Sequence, residues 1–428
     1  MYIGGEELKV LNEAFDGDND WEETKLVSIH SNQIIKVLEL ISKLDKHIGD
    51  YYTIMNAGYH ETNDVDKGII KRNTKIPDIS KLELIWSGPH IYVSNSIYKT
   101  PKEKCILNSD YDVIDLLSIN EDYVPRTNYV PLVSREKLNE LFRGFEINDK
   151  GQTKTDDWFN YYKVAYREMM GSTSERSLTV SILPPNVSHI YKILSVLFRK
   201  YDDLVECVGL SSSVPLDFYV KTVGITDLTP NKLKTFPLGI EDKYKSALFV
   251  RTLMLNCLTK HYADLWGEVW REDFKTQTWS IDDDRLHPFS TLLRDWSWET
   301  PLRNYFERRQ ALVEIDVIAA MALGLSLQDL EMIYTIQFPV LQQNENDTWY
   351  DRKGNIVFTC SKGLTGVGVD RPVWEQIRNM KEGETYDHTI EKSELYRGQH
   401  VTYYAPFTRQ DRIEDYRTAW AHFEKLFS

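Results

Sequence analysis

Two helix-boundary signals stand almost back to back in the second half of the chain, and they constrain its fold more than any other feature. The longest helical stretch begins near Asn304 and runs to about Leu323. Gly324 then supplies a helix stop and Ser326 a fresh N-cap, so a second helix restarts and runs through Ile336 before Pro339. A helical pattern from Lys243 to Trp270 precedes this pair, and a closing helix over Asp411–Phe427 follows it. Between them, after Asp351-Arg352-Lys353-Gly354, only one short hairpin-like strand, Asn355–Cys360, interrupts the helical character. This half therefore reads as a mostly helical lobe with a small β element.

The first half is punctuated differently. Ile34, Ile35, Val37, Leu38, Leu40, Ile41 and Leu44 recur at near-helical spacing between Ser31, a possible cap, and the break at Gly49-Asp50, so residues 1–60 read as helix. From 61 to 135, Gly, Pro, Asn and Asp separate short runs such as Leu82–Trp86 and His90–Val93, which suggests strands and ordered loops. Asp156–Met170 is expected to be helical, with Trp158, Tyr162, Ala165, Tyr166 and Met169 on one side. Arg176–Leu183 reads as a buried strand ending at Pro184-Pro185, His189–Phe198 as an amphipathic helix, Leu216–Val223 as a strand, and Pro230–Pro237 as a linker. At 428 residues two to three domains are expected. The fold class is α+β and two-lobed: a helical lead-in and linker (1–80), an α+β lobe (81–237), a helical region (238–345), and a small β element with a C-terminal helix (346–428).

A net charge of -14 excludes a protein that coats nucleic acid indiscriminately, although a specific reader can confine its basic groups to one cleft. The acid is uneven: Asp16, Asp18, Asp20, Glu22 and Glu23 form one block and Asp282, Asp283 and Asp284 another, both expected to be solvated. Cys105, Cys207, Cys257 and Cys360 lie far apart with no CxxC pair, which argues against a zinc site or a disulfide framework. Neither a signal-peptide pattern nor an apolar run of roughly 18 residues is found, so a soluble cytoplasmic protein with no membrane partner is expected.

Generic catalytic constellations test poorly. The loop Gly363-Leu364-Thr365-Gly366-Val367-Gly368 lacks the Lys-Ser/Thr ending of a phosphate-binding loop and reads as a tight turn. Asp16-Gly17-Asp18-Asn19-Asp20 starts like a calcium loop, but Trp21 stands where glycine is needed and Val27 where a bidentate Glu is needed, so no metal is expected. A nuclease triad of Asp78 with Glu241-Asp242-Lys243 has long spacing and arises easily by chance. His189, His261 and His400 have no Ser, Cys or HExxH partner pattern and read as structural.

Several segments, in order, are more specific. Ser87-Gly88-Pro89-His90-Ile91, Asn95 and Lys99-Thr100-Pro101 lead into Tyr111-Asp112, Asp115-Leu116 and Asp122-Tyr123, then Pro125-Arg126-Thr127-Asn128-Tyr129. Tyr166-Arg167-Glu168-Met169, Glu175-Arg176-Ser177-Leu178, Leu183-Pro184-Pro185, Pro215–Lys221 and Leu255–Thr259 follow. Arg308–Asp316, Ala319, Gly324-Leu325-Ser326 and Asp411–Tyr416 complete the series. From about residue 60 to the end, this set resembles the C-terminal half of large single-chain adenine-specific DNA methylases of type II-like and phage-defence restriction–modification systems. The resemblance implies a target-recognition region, which chooses the DNA sequence to be modified. It also implies that the S-adenosylmethionine fold and the catalytic turn belong to another unit, in cis or in trans. The residues agree: the turn that holds a flipped adenine needs Asp, Asn or Ser before Pro-Pro and an aromatic after it, whereas Pro184-Pro185 lies between Leu183 and Asn186. Gly4-Gly5 lies too near the start to follow a first strand, so no cofactor turn is found and no cofactor or catalytic residue is expected in this chain.

Duplex reading needs Lys, Arg and backbone amides on phosphates and side chains on base edges. The expected DNA-facing groups are Lys67, Lys71, Arg72 and Lys75; Lys99, Lys102 and Lys104; Lys353, Lys362 and Arg371; and Arg397 and Arg409. The loops 67–75, 99–104 and 361–371 carry most of them. Arg126, Arg167 and Arg176 suit structural ion pairs and groove contacts equally, while Arg308-Arg309, near Glu314 and Asp316, suit a structural network better. A protein–protein scaffold of a defence system is the competing expectation, and an unrecognised nuclease a weaker one.

Overall fold

The computed structural model describes residues 32–42, 44–149, 152–171 and 173–428 of the chain. The fold is α+β. Its strands of consequence are β1 (Thr53–Asn56), β2 (Ile70–Lys75), β3 (Thr127–Pro131), β4 (Lys163–Arg167), β5 (Val180–Leu183) and β6 (Ile193–Phe198). Four of them form one antiparallel sheet in the order β1-β6-β4-β5, with Asn56 opposite Ser195 and Val164 opposite both Val196 and Ile182.

Alternation along β4 sorts its side chains between two faces. Val164 and Tyr166 enter the largest apolar cluster, together with Val180, Ile182, Leu194 and Val196. Ala165 faces the other way, into a smaller cluster built on Trp86, Ile91 and Ile97. Lys163 and Arg167 share that second face by the same period of two. Lys163 is fully buried, its ammonium donating to the carbonyls of Tyr161 and Pro184 and lying 4.3 Å from the Trp158 ring centre.

The first face of the sheet is covered by helices: α1 (Asn32–Ser42), α2 (Tyr201–Ser211), α3 (Val214–Val223), α4 (Asp242–Asn256), α5 (Tyr305–Ala322), α6 (Leu327–Gln337) and α7 (Arg412–Leu426). The cluster they share with the sheet runs from Val37 to Phe423 and crosses residue 237 without a break. Asn304 caps α5 in a reciprocal box with Glu307, Gly324 ends the turn after it at φ 75°, and Ser326 with Asp329 starts α6 the same way. Both boundaries are those expected from the sequence.

Helix α5 is buried nearly all round, so its charged residues must find partners inside the protein. Arg309 pairs with Glu345 at 2.6 Å and Asp415 at 2.7 Å; Arg412 joins Asp316 at 2.9 Å and Glu345 at 2.6 Å. Glu314 takes Arg251 at 2.6 Å, and Asp316 also accepts from Tyr416 and from the Val214 amide. These pairs join α3, α4, α5 and α7 through directional contacts that a purely apolar interface lacks. Arg308 is held by carbonyls alone, those of Leu255, Leu302 and Ser94. The doublet is internal structure.

Several local expectations are corrected. Asp156–Met170 is not a helix: after a short turn at Trp158–Asn160 it is β4. His189–Phe198 is likewise strand, β6, preceded by the two-residue strand Ser188–His189. Leu216–Val223 belongs to helix α3, and the expected linker holds a short helix, Pro230–Leu233. Within 1–60 the described helix is α1, while Thr53–Asn56 is β1. Of the runs Leu82–Trp86 and His90–Val93, only Ile85–Trp86 forms a strand. Ser31, Gly4-Gly5, the acidic block from Asp16 to Glu23 and the calcium-like loop lie outside the described residues. No helix among the described residues is long and apolar enough to cross a membrane.

Candidate nucleic-acid interface

The second face of the sheet carries loops rather than helices, and a cleft of about 750 Å³ opens among them. Strand β2 pairs antiparallel with β3, placing Arg72 opposite Tyr129 and Lys75 opposite Thr127. A hairpin of Lys99–Pro101 with Tyr111–Val113 forms the next wall. The turn Gly88–His90 is locked by His90, whose Nδ1 accepts from the Ser87 amide at 2.9 Å while Nε2 donates to the Arg126 carbonyl at 2.8 Å. That arrangement needs the neutral ring, and burial holds the imidazole down to about 4. Gly88 and Pro89 are thereby fixed at the edge of the cleft.

Three cations converge there without a carboxylate partner among the described residues. Arg167 leaves the end of β4 and donates through Nε to the Gly88 carbonyl at 2.7 Å. Burial, opposed by the nearby Tyr98 and Tyr92, pulls its guanidinium below the ordinary value. Lys99 lies 5.1 Å from the Tyr98 ring centre; burial and then the neighbouring Arg167 lower its ammonium. Arg72 donates to the carbonyls of Cys105 at 3.1 Å and Ile106 at 2.8 Å and sits 5.9 Å from the Tyr129 ring centre. Carbonyls and ring faces orient a cation without neutralising it, so these groups keep positive charge aimed at whatever enters. Lys192 also lines the cleft, but it pairs with Asp227 at 3.0 Å, and that bond raises its ammonium. Among the described residues the one lining carboxylate is Glu61, which accepts from Tyr129 at 2.7 Å.

The remaining wall is aromatic. Tyr92 and Tyr98 stack with ring centres 4.8 Å apart, and Tyr98 donates to the Gly363 carbonyl, which brings the 361–371 loop to the cleft. Tyr111 and Tyr129 stand beside Asn128, whose amide donates to Tyr111 at 3.0 Å. Burial raises the phenols of Tyr92, Tyr98 and Tyr111, which stay neutral donors. Ile106, Leu107 and Met169 on the rim are 73%, 64% and 65% exposed.

Of the residues anticipated from the sequence, the structure brings Arg72 and Lys99 to this cleft, with Lys362 one residue from its Gly363 edge. Lys75 is engaged with Glu83 at 2.6 Å and Lys102 faces Asp112 at 3.8 Å. Lys67, Lys71 and Lys104 are exposed outside the cleft lining, Lys71 on β2 rather than on the loop expected over 67–75. Lys353 packs 3.8 Å from the Tyr404 ring centre, Arg371 donates to the Cys360 sulfur at 3.1 Å, Arg409 lies over Trp349, and Arg397 is exposed; none of these lines the cleft. Arg176 is a structural cation, bound to Asp217 at 2.6 Å, and Arg126 lies 3.6 Å from Glu103. Arg167, which the sequence leaves open between a structural ion pair and a groove contact, takes neither an acid nor a surface position but this cleft, and the tyrosines are not among the residues anticipated from the sequence. The only local signal is the density of Tyr around Gly88-Pro89 and Lys99.

The other constellations do not assemble. Asp78 caps Ser80 and pairs with Lys81 at 3.2 Å, whereas Lys243 pairs with Glu241 at 3.5 Å. His189 is fully buried with Nε2 2.7 Å from Ser195 Oγ, and burial lowers it to about 4; His400 bonds Thr389 on an exposed hairpin. Among the described residues no group of three or more His, Cys, Asp or Glu is placed to hold a metal ion. No protein-family model matches the chain, and no curated protein matches it.

Proposed function

We propose that this chain selects the DNA sequence at which an adenine is methylated, as the target-recognition part of a restriction–modification methylase. The catalytic unit and its S-adenosylmethionine are contributed elsewhere in the same polypeptide or by a partner. The observation that carries the reading is the convergence of Arg72, Lys99 and Arg167 on one tyrosine-walled cleft, each oriented by carbonyls or rings and left charged. In a protein of net charge -14, gathering three cations without a direct acid partner in one recess suits recognition of a polyanion at one place rather than general adhesion. Neutral tyrosine hydroxyls, with Tyr111 held in place by Asn128, supply the polar groups that discriminate base edges.

A defence-system scaffold has one observation in its favour: Ile106, Leu107 and Met169 are apolar and exposed on the rim. A salt titration of binding to duplex DNA separates the two. Recognition requires affinity that falls linearly in log–log coordinates with salt and prefers one short sequence. Indifference to DNA in the presence of the methylase unit would leave only the scaffold.

A further inference from the structure

We infer that the cleft takes a single unpaired nucleotide of a DNA strand, its phosphate on Arg167 and Lys99 and its base along the wall of Tyr92, Tyr98, Tyr111 and Tyr129. The inference rests on the recognition reading above and makes it more specific. Duplex phosphates lie on the outside of a convex cylinder, and side chains reading them stand on a protein's surface or enter a groove. Arg167 does neither. It is recessed, fixed by Nε to the Gly88 carbonyl, on a sheet face whose neighbour Ala165 is fully buried. Lys99 is likewise half-buried beside it. A rigid duplex cannot bring a backbone phosphate into such a recess, whereas a nucleotide released from its pair can rotate out and enter it.

Size and lining agree. About 750 Å³ is within the range of pockets that enclose one small organic ligand, and it is far too small for a base-paired segment. Tyrosine faces with a cation beside them are the surfaces on which unpaired bases stack without regard to sequence. Asn128 is engaged by Thr74 and Cys105 and donates to the Tyr111 hydroxyl at 3.0 Å, which fixes that hydroxyl and leaves its proton to donate to a base edge that pairing would otherwise occupy.

The test is fluorescence anisotropy with the full chain and three labelled probes: an oligothymidine single strand, a random-sequence duplex, and that duplex carrying one unpaired bulged thymidine. The bulged duplex and the single strand are expected to bind roughly tenfold more tightly than the intact duplex. Lys99→Gln, which removes charge from a side chain with no hydrogen-bond partner to lose, is expected to weaken the bulged duplex and the single strand by about tenfold and the intact duplex by much less, so that the preference disappears; Arg72→Gln, expected to weaken all three probes together, serves as the comparison, and thermal melting confirms that each variant is folded. Equal binding of bulged and intact duplex would overturn the inference and leave the recognition reading standing. Failure to bind any of the three, with the methylase unit present, would sink both. Free dTMP distinguishes the source of the nucleotide: weak competition is expected, and displacement of the strand at concentrations near its own Kd would overturn the assignment to DNA.

Discussion

Lowering the pH from 8 to 5 tests whether the buried imidazoles of His90 and His189 hold the sheet's second face in place. Both are fully buried, and burial lowers each to about 4 in the folded protein, against about 6.5 in an unfolded chain. Between those values the unfolded chain binds protons that the folded one refuses. The stability associated with the neutral rings is therefore complete above pH 6.5 and is lost as the pH falls toward 4. Linkage gives about 2 kcal/mol per ring at pH 5, or about 4 kcal/mol for both, a large share of the 5–15 kcal/mol typical of a folded domain. Buried carboxyls raised by desolvation, such as Glu206 and Glu307, act in the opposite direction, so the informative quantity is a difference between proteins. Urea unfolding followed by tryptophan fluorescence is measured at pH 8, 6 and 5 for the wild type, His90→Gln, His189→Gln and the double variant. Gln at 90 keeps a donor for the Arg126 carbonyl without a titrating ring. The wild type is expected to lose about 2 kcal/mol more than each single variant, and about 4 more than the double, over this interval. Parallel pH dependences in all four proteins would refute the reasoning.

Three further outcomes follow from the structure. Gly58 sits at φ 72° with an added Cβ only 2.2 Å from the His189 carbonyl oxygen, so Gly58→Ala should destabilise by about 2 kcal/mol or more in a thermal or urea melt. Arg251→Met leaves the buried Glu314 charge without its cation and should cost about 3–5 kcal/mol, with Arg251→Met/Glu314→Gln, which keeps an acceptor for Ser280 and Gln310, recovering part of it; no recovery in the double variant would mean that the lost ion pair is not responsible. Arg72→Gln should weaken duplex binding and reduce the salt slope by about one, whereas Arg409→Gln, outside the cleft lining, should change neither in the same titration.

The parts of the fold that were legible in the sequence are those specified by short-range chemistry. Asn304, Ser326 and Asp411 bond the amides of residues two or three positions on, so the start of each helix is written in adjacent letters. The mistaken assignments share one physical cause. Strand β6 is buried at all six residues and β4 nearly so, because the four-stranded sheet is covered on both faces. Without a wet face there is no alternation, and an unbroken apolar run reads as well for a helix as for a strand. Helix α3 failed in the opposite sense. Its residues from Val214 to Val220 are all buried, and Asp217 is reserved for Arg176, so the polar stripe that marks a surface helix is missing.

The site was harder to read than the fold, because what makes a cation available is the absence of an acid that only the fold can bring near. Lys75 and Lys102 look equivalent to Arg72 and Lys99 in the sequence, yet Glu83 and Asp112 make direct ion pairs with the first two, while Lys99 feels Asp112 only at longer range. Arg167 was indistinguishable from Arg176 by local context, since both adjoin buried strands. Asp217, from a helix mistaken for a strand, takes Arg176, while Arg167 meets only a carbonyl 79 residues upstream. A sequence census of basic residues thus includes cations that the fold pairs with acids and leaves Arg167 undecided between an ion pair and a groove contact. The physical criterion is a cleft cation held by carbonyls and rings with no carboxylate in direct ion-pair contact. It selects Arg72, Lys99 and Arg167, and it makes their joint removal the substitution from which DNA binding should not recover.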